Sequence, residues 1–248
     1  MKDFEGLVAV VTGGASGIGA STGRILRGRG AHVFTLDRDA HEGSEGVVPI
    51  VADVTDQDSV TSAVEEVARS AGGVDVLVNN AGIGAAGTIE DNPFAEWNHV
   101  IDVNVLGVAR ASRAALPHLR RSTSAVIVNT CSAAADVGLP QRALYSASKG
   151  AVLSLTRAMA ADYVRDGIRV CCVNPGTTDT PWVQRLLDRA PDPVAERIAL
   201  EARQPSGRLI SADEVAQAIA YLASPLAGAT TGVALRVDGG LKGLRLPP

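Results

Sequence analysis

The segment LVAVVTGGASGIG, residues 7–19, decides the fold. Its first five residues are apolar without polar alternation, which is typical of a strand buried on both faces of a parallel sheet. A glycine-rich loop with the spacing Gly13-x3-Gly17-x-Gly19 follows, and a helical pattern then continues to about Arg29. Glycines let the backbone approach a pyrophosphate, and a helix N-terminus offers free N–H groups and positive partial charge. In this strand–loop–helix context we predict a dinucleotide site rather than a plain tight turn.

The rest of the chain alternates between apolar runs and helical patterns. Six further strands are predicted at residues 31–37, 47–51, 74–78, 125–131, 168–173 and 232–240. Helical patterns cover 57–71, 93–121, the segment ending near 167, 182–203 with a break at 191–193, and 212–222. No Ser/Pro linker or internal repeat interrupts this order. The sequence therefore predicts one doubly wound α/β domain over residues 1–248, with a mainly parallel sheet and helices on both faces.

Composition narrows the possible classes of function. The 248 residues are 46% hydrophobic and 20% charged, and the net charge is −4 without a long basic run, which argues against nucleic-acid binding. No apolar stretch reaches ~18 residues, and the charged start MKDFEG does not resemble a signal peptide. Cys131, Cys171 and Cys172 lack metal-binding spacing, so we expect reduced core thiols and no metal site. A cytoplasmic protein is expected.

Two acidic residues are placed where a nucleotide needs them. Asp37 ends the second predicted strand, eighteen residues beyond Gly19, where a carboxylate binds the adenosine ribose hydroxyls. A carboxylate there repels a 2′-phosphate, so NAD is favoured over NADP, although Arg38 follows directly and Asp37 could simply cap a turn. Asp53 ends the third strand and could accept a hydrogen bond from the adenine amine, and Asp56 could cap the next helix.

Ser132, Tyr145 and Lys149 form the candidate catalytic group. Ser132 follows a predicted strand, and Tyr145 and Lys149 are four residues apart on the next helix, so they share one helix face. A free phenol titrates near pH ~10, and a neighbouring ammonium ion favours the phenolate. Such a tyrosine can exchange a proton with an alcohol or a carbonyl oxygen. The YxxxK pattern alone equally fits a tyrosine packed on a helix.

Several other segments lie at predicted strand ends or within helices. The small residues of NNAG, 79–82, would let the chain pass close under a cofactor. Asn104 lies in a predicted helix interior, which disfavours asparagine, so either a bridge toward Lys149 or simple exposure explains it. Pro175 and Gly176 force a bend beside several threonines, and residues 177–205 are predicted to form a mobile substrate flap.

Taken together, these motifs resemble the short-chain dehydrogenase/reductase family. TGGASGIG, Asp53, NNAG, Asn104, Ser132, YSASK and NPG occur in one order over nearly the full length. The resemblance implies a seven-stranded Rossmann-like sheet, a homotetramer and an enzyme acting on CH–OH groups. The implied catalytic residues are Ser132 (substrate oxygen), Tyr145 (acid/base), Lys149 (nicotinamide ribose and phenolate stabilisation) and Asn104 (a water relay). The predicted cofactor contacts are Gly13, Ser16, Gly17, Ile18, Gly19, Asp37, Asp53, Val54, Asn80, Ala81, Gly82, Tyr145, Lys149, Pro175, Gly176, Thr178 and Thr180.

Arginines near the catalytic group indicate the substrate class. Arg142 lies one helical turn before Tyr145, and Arg185 and Arg203 lie on the predicted flap. A guanidinium holds a carboxylate with two parallel hydrogen bonds, so an anionic hydroxy acid or sugar acid is expected as substrate. Similar segments occur in family members such as 2-keto-3-deoxy-L-fuconate and 3-hydroxybutyrate dehydrogenases. Three surface arginines explain the same pattern, and Trp182 could stack on a sugar or only pack the flap.

Two alternative functions stay open. An NADPH-dependent carbonyl or 3-oxoacyl reductase would use the same fold, but Asp37 argues against it. A catalytically silent nucleotide-sensing protein would not need Tyr145 and Lys149, which are both present. The preferred interpretation is an NAD-dependent oxidoreductase acting on a small anionic secondary alcohol or ketone, with no nucleic-acid or membrane partner.

Overall fold

A seven-stranded sheet, all of whose strands are parallel, organises the computed structural model, which describes residues 2–188 and 190–245. The strand order is β3-β2-β1-β4-β5-β6-β9. The strands are β1 (Val8–Thr12), β2 (His32–Asp37), β3 (Val47–Val51), β4 (Val76–Asn79), β5 (Val126–Thr130), β6 (Arg169–Pro175) and β9 (Ala234–Val237). A separate parallel pair joins β7 (Thr178–Asp179) to β8 (Ile210–Ser211). The predicted doubly wound α/β fold is confirmed.

Eight α-helices flank the sheet or lie beyond its carboxyl edge in the described residues. They are α1 (Gly17–Gly28), α2 (Gln57–Ala71), α3 (Phe94–Ile101), α4 (Gly107–Leu119), α5 (Ala143–Tyr163), α6 (Pro181–Asp188), α7 (Pro193–Ala202) and α8 (Ala212–Ala223). Asp56 caps α2 as expected, accepting from the N–H groups of Asp58 and Ser59. At the start of α8, Ser211 forms a capping box with Glu214. None of the described helices has the length and apolar character needed to cross a membrane.

Alternating residues of the central strands build a core on each face of the sheet. Val11 of β1 packs in the cluster that contains Leu26 of α1 and Ile219 of α8. Its neighbour Val10 packs in the cluster with Val64 of α2 and, from other helices, Leu119 and Met159. Successive side chains of a strand point to opposite faces, so the uninterrupted apolar runs seen in the sequence are what a sheet covered on both faces requires.

The strand order reverses between β1 and β4, because β2 and β3 extend the sheet on one side of β1 and the later strands extend it on the other. Strand β1 pairs with β2 on one side and with β4 on the other, and later strands extend the sheet beyond β4. In open parallel sheets, ligands bind outside the carboxyl ends of the strands at such a switch point. The loops that follow β1 and β4 therefore mark where the candidate site should be.

The structure refines the predicted elements in three places. The helical stretch predicted over residues 93–121 is confirmed from Phe94 to Leu119, but a π-helical turn at Asp102–Leu106 divides it into α3 and α4. Helix α5 ends at Tyr163 and a 3₁₀ turn carries the chain to Gly167, where the glycine has a positive φ. The short β7–β8 pair was not predicted. Helices α6 and α7 do separate at the expected Pro-rich break.

Candidate active site

Hydrogen bonds between two loops form the floor of the site. The Thr12 hydroxyl at the end of β1 accepts from the N–H groups of Asn80 and Ala81, each at 3.0 Å, beyond β4. In return the Asn80 amide donates to the carbonyls of Thr12 (3.2 Å) and Gly13 (3.1 Å). The glycine loop and the NNAG segment are thus fixed side by side at the switch point of the sheet.

The glycine loop has the shape that a dinucleotide requires. Gly13 has φ +67°, and a Cβ atom on Gly19 would overlap the Gly13 carbonyl oxygen. Ser16 occupies the N-cap of α1 without a capping bond from its side chain, which leaves N–H groups of the first turn open to an anionic ligand. Ile18 lines the adjoining cavity. This cradle fits the pyrophosphate of a nicotinamide dinucleotide.

The predicted nucleotide carboxylates lie at the ends of β2 and β3. Asp37 accepts from the Ala15 N–H of the glycine loop at 3.0 Å, so its carboxylate is held beside the cradle. Arg38, by contrast, is exposed and lies 3.7 Å from Asp39. Asp53 accepts from the backbone and hydroxyl of Thr55, whose hydrogen bonds lower the pKa of this carboxyl.

Val54 lies where the chain after the third strand meets α4. It packs against Gly107 at the start of α4, and its carbonyl accepts from Arg110 at 3.1 Å. It does not line the main cavity, whereas Gly82, Pro175, Gly176, Thr178 and Thr180 do. The residues around Val54 therefore connect the third strand to α4.

Ser132, Tyr145 and Lys149 line one cavity of about 230 Å³. Ser132 follows β5 and its hydroxyl accepts from the Ala134 N–H at 3.1 Å. The Lys149 ammonium is buried, donates to the Thr130 carbonyl at 2.9 Å, and lies 5.9 Å from the centre of the Tyr145 ring. The strand end and the helix face thus bring the three predicted side chains to one volume, beside the glycine loop.

Asn104 lies in the π-helical turn and is buried, so the interpretation that it is simply exposed is wrong. Its carbonyl oxygen accepts from the Ile83 N–H at 2.8 Å, and its amide donates to the Ile83 carbonyl (2.9 Å) and to the Ser148 hydroxyl (3.0 Å). A Cβ atom added to Gly82 would lie 3.2 Å from the Asn104 oxygen and 3.4 Å from the Lys149 ammonium. Asn104 and Lys149 therefore both face Gly82, and the extra residue of the π turn directs the asparagine inward.

The three predicted substrate arginines separate into two groups. Arg142 and Arg203 line the cavity, and burial followed by the neighbouring Arg203 guanidinium lowers the pKa of Arg142. Arg142 also donates to the Ala85 carbonyl at 3.1 Å. Arg185 is exposed on α6 and does not line the cavity, so the structure corrects its predicted place in the pocket. Two like charges facing one cavity favour an anionic ligand.

Trp182 connects the flap to the chain that follows β4. Its indole packs against Gly84 so closely that a Cβ atom there would overlap it, and the ring lines the cavity. The indole is 40% exposed. The contact explains the need for glycine at position 84 and makes Trp182 part of the cavity wall.

Sequence reasoning missed the anchor of the loop after Ser132. Asp136 accepts from the Asn174 amide at 2.9 Å and from the Lys242 ammonium at 2.7 Å, which tie the loop to β6 and to the C-terminal segment. The hydrogen bonds and charge of these partners hold the pKa of the Asp136 carboxyl below its usual value despite its burial. Asp136 and Lys242 are too distant in sequence for a local pattern to pair them. No cluster of metal-ligating side chains occurs within the described part of the chain.

Comparison with known proteins identifies the family. A family model described as enoyl-(acyl carrier protein) reductase matches residues 13–242. Cis-4-hydroxycyclohexanecarboxylate dehydrogenase of Sinomonas cyclohexanicum is 42% identical, covering 96% of this chain and 97% of that protein. 2-(S)-hydroxypropyl-CoM dehydrogenase 3 of Xanthobacter autotrophicus is 39% identical, with 94% and 96% covered. The ligand-free aldohexose dehydrogenase of Thermoplasma acidophilum superposes with a TM-score of 0.92 at 34% identity, over 100% of this chain and 99% of that one.

The chain belongs to the short-chain dehydrogenase/reductase family. It is an oxidoreductase of CH–OH groups that interconverts secondary alcohols and ketones with a nicotinamide cofactor.

Proposed function

We propose that this protein is an NAD-dependent oxidoreductase whose substrate is the secondary alcohol or ketone of a hydroxy acid or sugar acid. One observation carries the proposal: the Ser132–Tyr145–Lys149 group and the Arg142–Arg203 pair line the same cavity. The Ser132–Tyr145–Lys149 group can exchange a proton with an alcohol or a ketone. The Arg142–Arg203 pair can bind an anionic group of the same small molecule.

The proposed chemistry assigns each side chain a task. The Ser132 and Tyr145 hydroxyls hold the substrate oxygen, and Tyr145 accepts its proton during oxidation or returns it during reduction. Lys149 stabilises the phenolate and binds the nicotinamide ribose, and Asn104 anchors a water relay to its ammonium. Bound nicotinamide supplies the hydride chemistry of the adjacent carbon. The protein contributes position and charge.

Asp37 supports NAD rather than NADP as the cofactor. Its carboxylate is held against the glycine loop by the Ala15 N–H, where it would accept from the adenosine ribose hydroxyls and repel a 2′-phosphate. The remaining proposed contacts of the cofactor are the glycine loop, Asp53 with Val54, the NNAG segment, and the Pro175–Thr180 bend. Arg38 lies beside Asp39, which lowers its availability to a phosphate.

The arginine pair supports an anionic substrate. In the described residues no carboxylate forms an ion pair with Arg142 or Arg203, although Glu196 on α7 lies near enough to favour the charged form of Arg142. A substrate carboxylate would relieve the repulsion between the two guanidiniums. The name of one relative, a hydroxycyclohexanecarboxylate dehydrogenase, supports the same class of substrate.

A substrate panel with matched variants tests the proposal. Hydroxy acids and neutral secondary alcohols are offered with NAD, and NADH formation is followed. We expect Arg142→Ala and Arg203→Ala to raise KM for the acids at least tenfold, whereas Arg185→Ala, an exposed flap arginine outside the cavity, leaves it unchanged. Equal KM values in all three variants would contradict the proposal that the substrate is anionic. Reaction with neutral alcohols alone would contradict it as well.

The alternative function is an NADPH-dependent carbonyl or 3-oxoacyl reductase. A relative from Thermotoga maritima, 36% identical and named a 3-oxoacyl-[acyl-carrier-protein] reductase, favours this candidate. Initial rates with NADH and NADPH separate the two, because Asp37 should make NADH the better reductant by at least tenfold. A preference for NADPH would support the NADPH-dependent reductase instead of the NAD-dependent dehydrogenase. A catalytically silent nucleotide sensor would show no turnover with either cofactor.

Three further properties belong to the same proposal. We propose a single domain with residues 177–205 as its substrate flap, and a homotetramer in which the half-exposed edge strand β9 and exposed apolar side chains such as Tyr221 and Val233 contact other subunits. A cytoplasmic location agrees with three buried free cysteines. Sedimentation analysis of the purified chain tests the tetramer.

A further inference from the structure

Aliphatic side chains from three separate segments line the cavity. They come from the loop after Ser132, from the flap helices α6 and α7, and from the C-terminal segment. These residues are Leu139, Val183, Leu186, Leu200 and Leu241. Val183 and Leu200 belong to the small core of the flap, so this part of the wall is fixed by packing. The wall offers an apolar surface to whatever lies against it.

The polar lining groups have other partners or other tasks. The Thr130 hydroxyl donates to the side-chain amide oxygen of Asn80 at 3.2 Å, and the Thr178 hydroxyl donates to the Gly176 backbone carbonyl at 3.1 Å. The same residues line the part of the cavity that the NNAG segment and the Pro–Gly bend assign to the cofactor. Ser132 and Tyr145 are committed to the reacting oxygen. Thr177 and Thr180 also line the cavity, in the same bend as Thr178, so Arg142 and Arg203 are the charged groups left for the rest of the substrate.

The cavity therefore offers few partners to the hydroxyl groups of a polyol. Sugar hydroxyls are both donors and acceptors, and carboxylate or amide side chains pair with them. Within the described residues no carboxylate lines this cavity, and its one lining amide, Asn80, is bound to the glycine loop. A sugar hydroxyl placed against the leucines would lose its water without gaining a partner.

Resting on the proposed function, we propose that the substrate is an apolar hydroxy or keto acid: an alicyclic or aliphatic skeleton with one reacting oxygen and one anionic group. The apolar skeleton of the substrate packs on the aliphatic side chains of the cavity wall. The reacting oxygen binds Ser132 and Tyr145, and the anionic group binds Arg142 and Arg203. Polyhydroxylated sugar acids are excluded by the same wall. The reaction is otherwise unchanged.

A four-part substrate set tests this inference. It contains hydroxycyclohexanecarboxylates in both ring isomers, a linear hydroxyalkanoate, gluconate, and cyclohexanol, each with NAD at one ionic strength. We expect kcat/KM for the best apolar hydroxy acid to exceed that for gluconate and for cyclohexanol at least tenfold. As a measurement independent of turnover, cyclohexanecarboxylate should bind the NAD-loaded protein at least tenfold more tightly than gluconate in calorimetry.

Variants of the wall sharpen the test. Leu139→Asn, on the half-buried loop side of the cavity, should lower kcat/KM for the apolar acid at least tenfold and should not lower it for gluconate. Val194→Asn is the matched control, because Val194 is exposed on α7 and does not line the cavity. Equal losses in the two variants would contradict a role for the wall.

The outcomes separate this inference from the function on which it rests. If gluconate reacts and binds better than the apolar acids, the inference is overturned while an NAD-linked hydroxy-acid dehydrogenase stands. If cyclohexanol matches the acids, the anionic substrate itself fails and the inference fails with it. The inference is supported if kcat/KM favours the apolar acids at least tenfold and the Leu139→Asn variant loses this selectivity.

Discussion

Asn104 shows how a single buried amide organises the residues beneath the site. It satisfies both backbone groups of Ile83 and bonds to Ser148, and its oxygen faces Gly82, as the Lys149 ammonium does. A buried donor or acceptor that loses its partner costs roughly 1–3 kcal/mol. Local order at Ile83 and at Ser148, the neighbour of Lys149 on α5, therefore depends on the same side chain.

The Asn104→Ala variant should lower both stability and turnover. We expect the free energy of unfolding to fall by roughly 1–3 kcal/mol, because two backbone groups of Ile83 lose their partner, and kcat to fall more steeply than substrate affinity. Denaturant unfolding and steady-state kinetics measure the two effects. Asn98→Ala, on the exposed face of α3, is the control. Wild-type stability and kcat in Asn104→Ala would refute the positioning role.

Residue identities predicted the catalytic group well, because Tyr145, Lys149 and Ser132 follow from helix periodicity and a strand end. The sequence did not separate Arg142 and Arg203 from Arg185, since all three lie at exposed or half-exposed positions whose direction depends on tertiary packing. Asp136 was missed for a related reason: its partner Lys242 reaches it only when the C-terminal segment folds back.

At the scale of elements, the flap is held over the site by the Trp182 contact and by the pairing of β7 with β8. The Trp182 indole on α6 packs on the backbone at Gly84, and Thr180 at the start of the flap lies near Gly17 of the glycine loop. The flap thus contacts the segments beyond β1 and β4. Its position depends on the absence of a side chain at residue 84.

Gly84→Ala should displace the flap. The added methyl group would overlap the indole, so we expect kcat/KM to fall roughly tenfold or more, as small misplacements of binding groups do. In a Trp97→Phe background, acrylamide quenching of the Trp182 fluorescence should increase, because the indole is displaced from its contact with residue 84. Gly138→Ala, where the added atom meets nothing within 4 Å, is the control. An unchanged quenching constant would show that the indole is not held there.

The N-terminus of α8 gives a pH-dependent prediction. The Arg208 side chain, together with the Ser211 N–H, lowers the pKa of Glu214 to about 2 from an ordinary value of 4.5. The folded-state pKa is depressed, so its stabilisation is fully present above pH 4.5 and is lost as pH falls toward about 2. Because the pair is partly exposed, we expect only about 1 kcal/mol.

Glu214→Gln should therefore be less stable than the wild type at pH 7, and the difference should shrink as the pH falls below 4.5. Thermal unfolding across this range measures it. Glu66→Gln on the exposed face of α2 provides the comparison. A difference that grows on acidification would contradict the assigned sign.

Element positions were largely predictable, whereas two irregular elements were not. Apolar runs, together with glycines near their ends, predicted every strand of the large sheet. The π turn at Asp102–Leu106 was read as regular helix, because one extra residue in a turn leaves the apolar spacing almost unchanged. The β7–β8 pair has two residues per strand, which is too short for any period to show.

For the whole molecule, the parallel order β3-β2-β1-β4-β5-β6-β9 brings distant segments to one edge of the sheet. The sequence predicted the class of fold but not this order, since local patterns carry no information on which strands become neighbours. The order matters because it places the glycine loop, which follows β1, next to the NNAG segment, which follows β4. Ser132 and α5 follow β5, the next strand of the sheet. The cavity is the result of that arrangement.

The most direct test of the account is the rate of hydride transfer in Tyr145→Phe. NADH formation is followed in a single turnover with a hydroxy acid that the wild-type protein oxidises, and substrate binding to the NAD-loaded variant is measured in parallel. We predict a rate roughly 10²–10⁴-fold lower with binding nearly intact, because only the proton acceptor is removed. A rate within twofold of wild type would contradict the account.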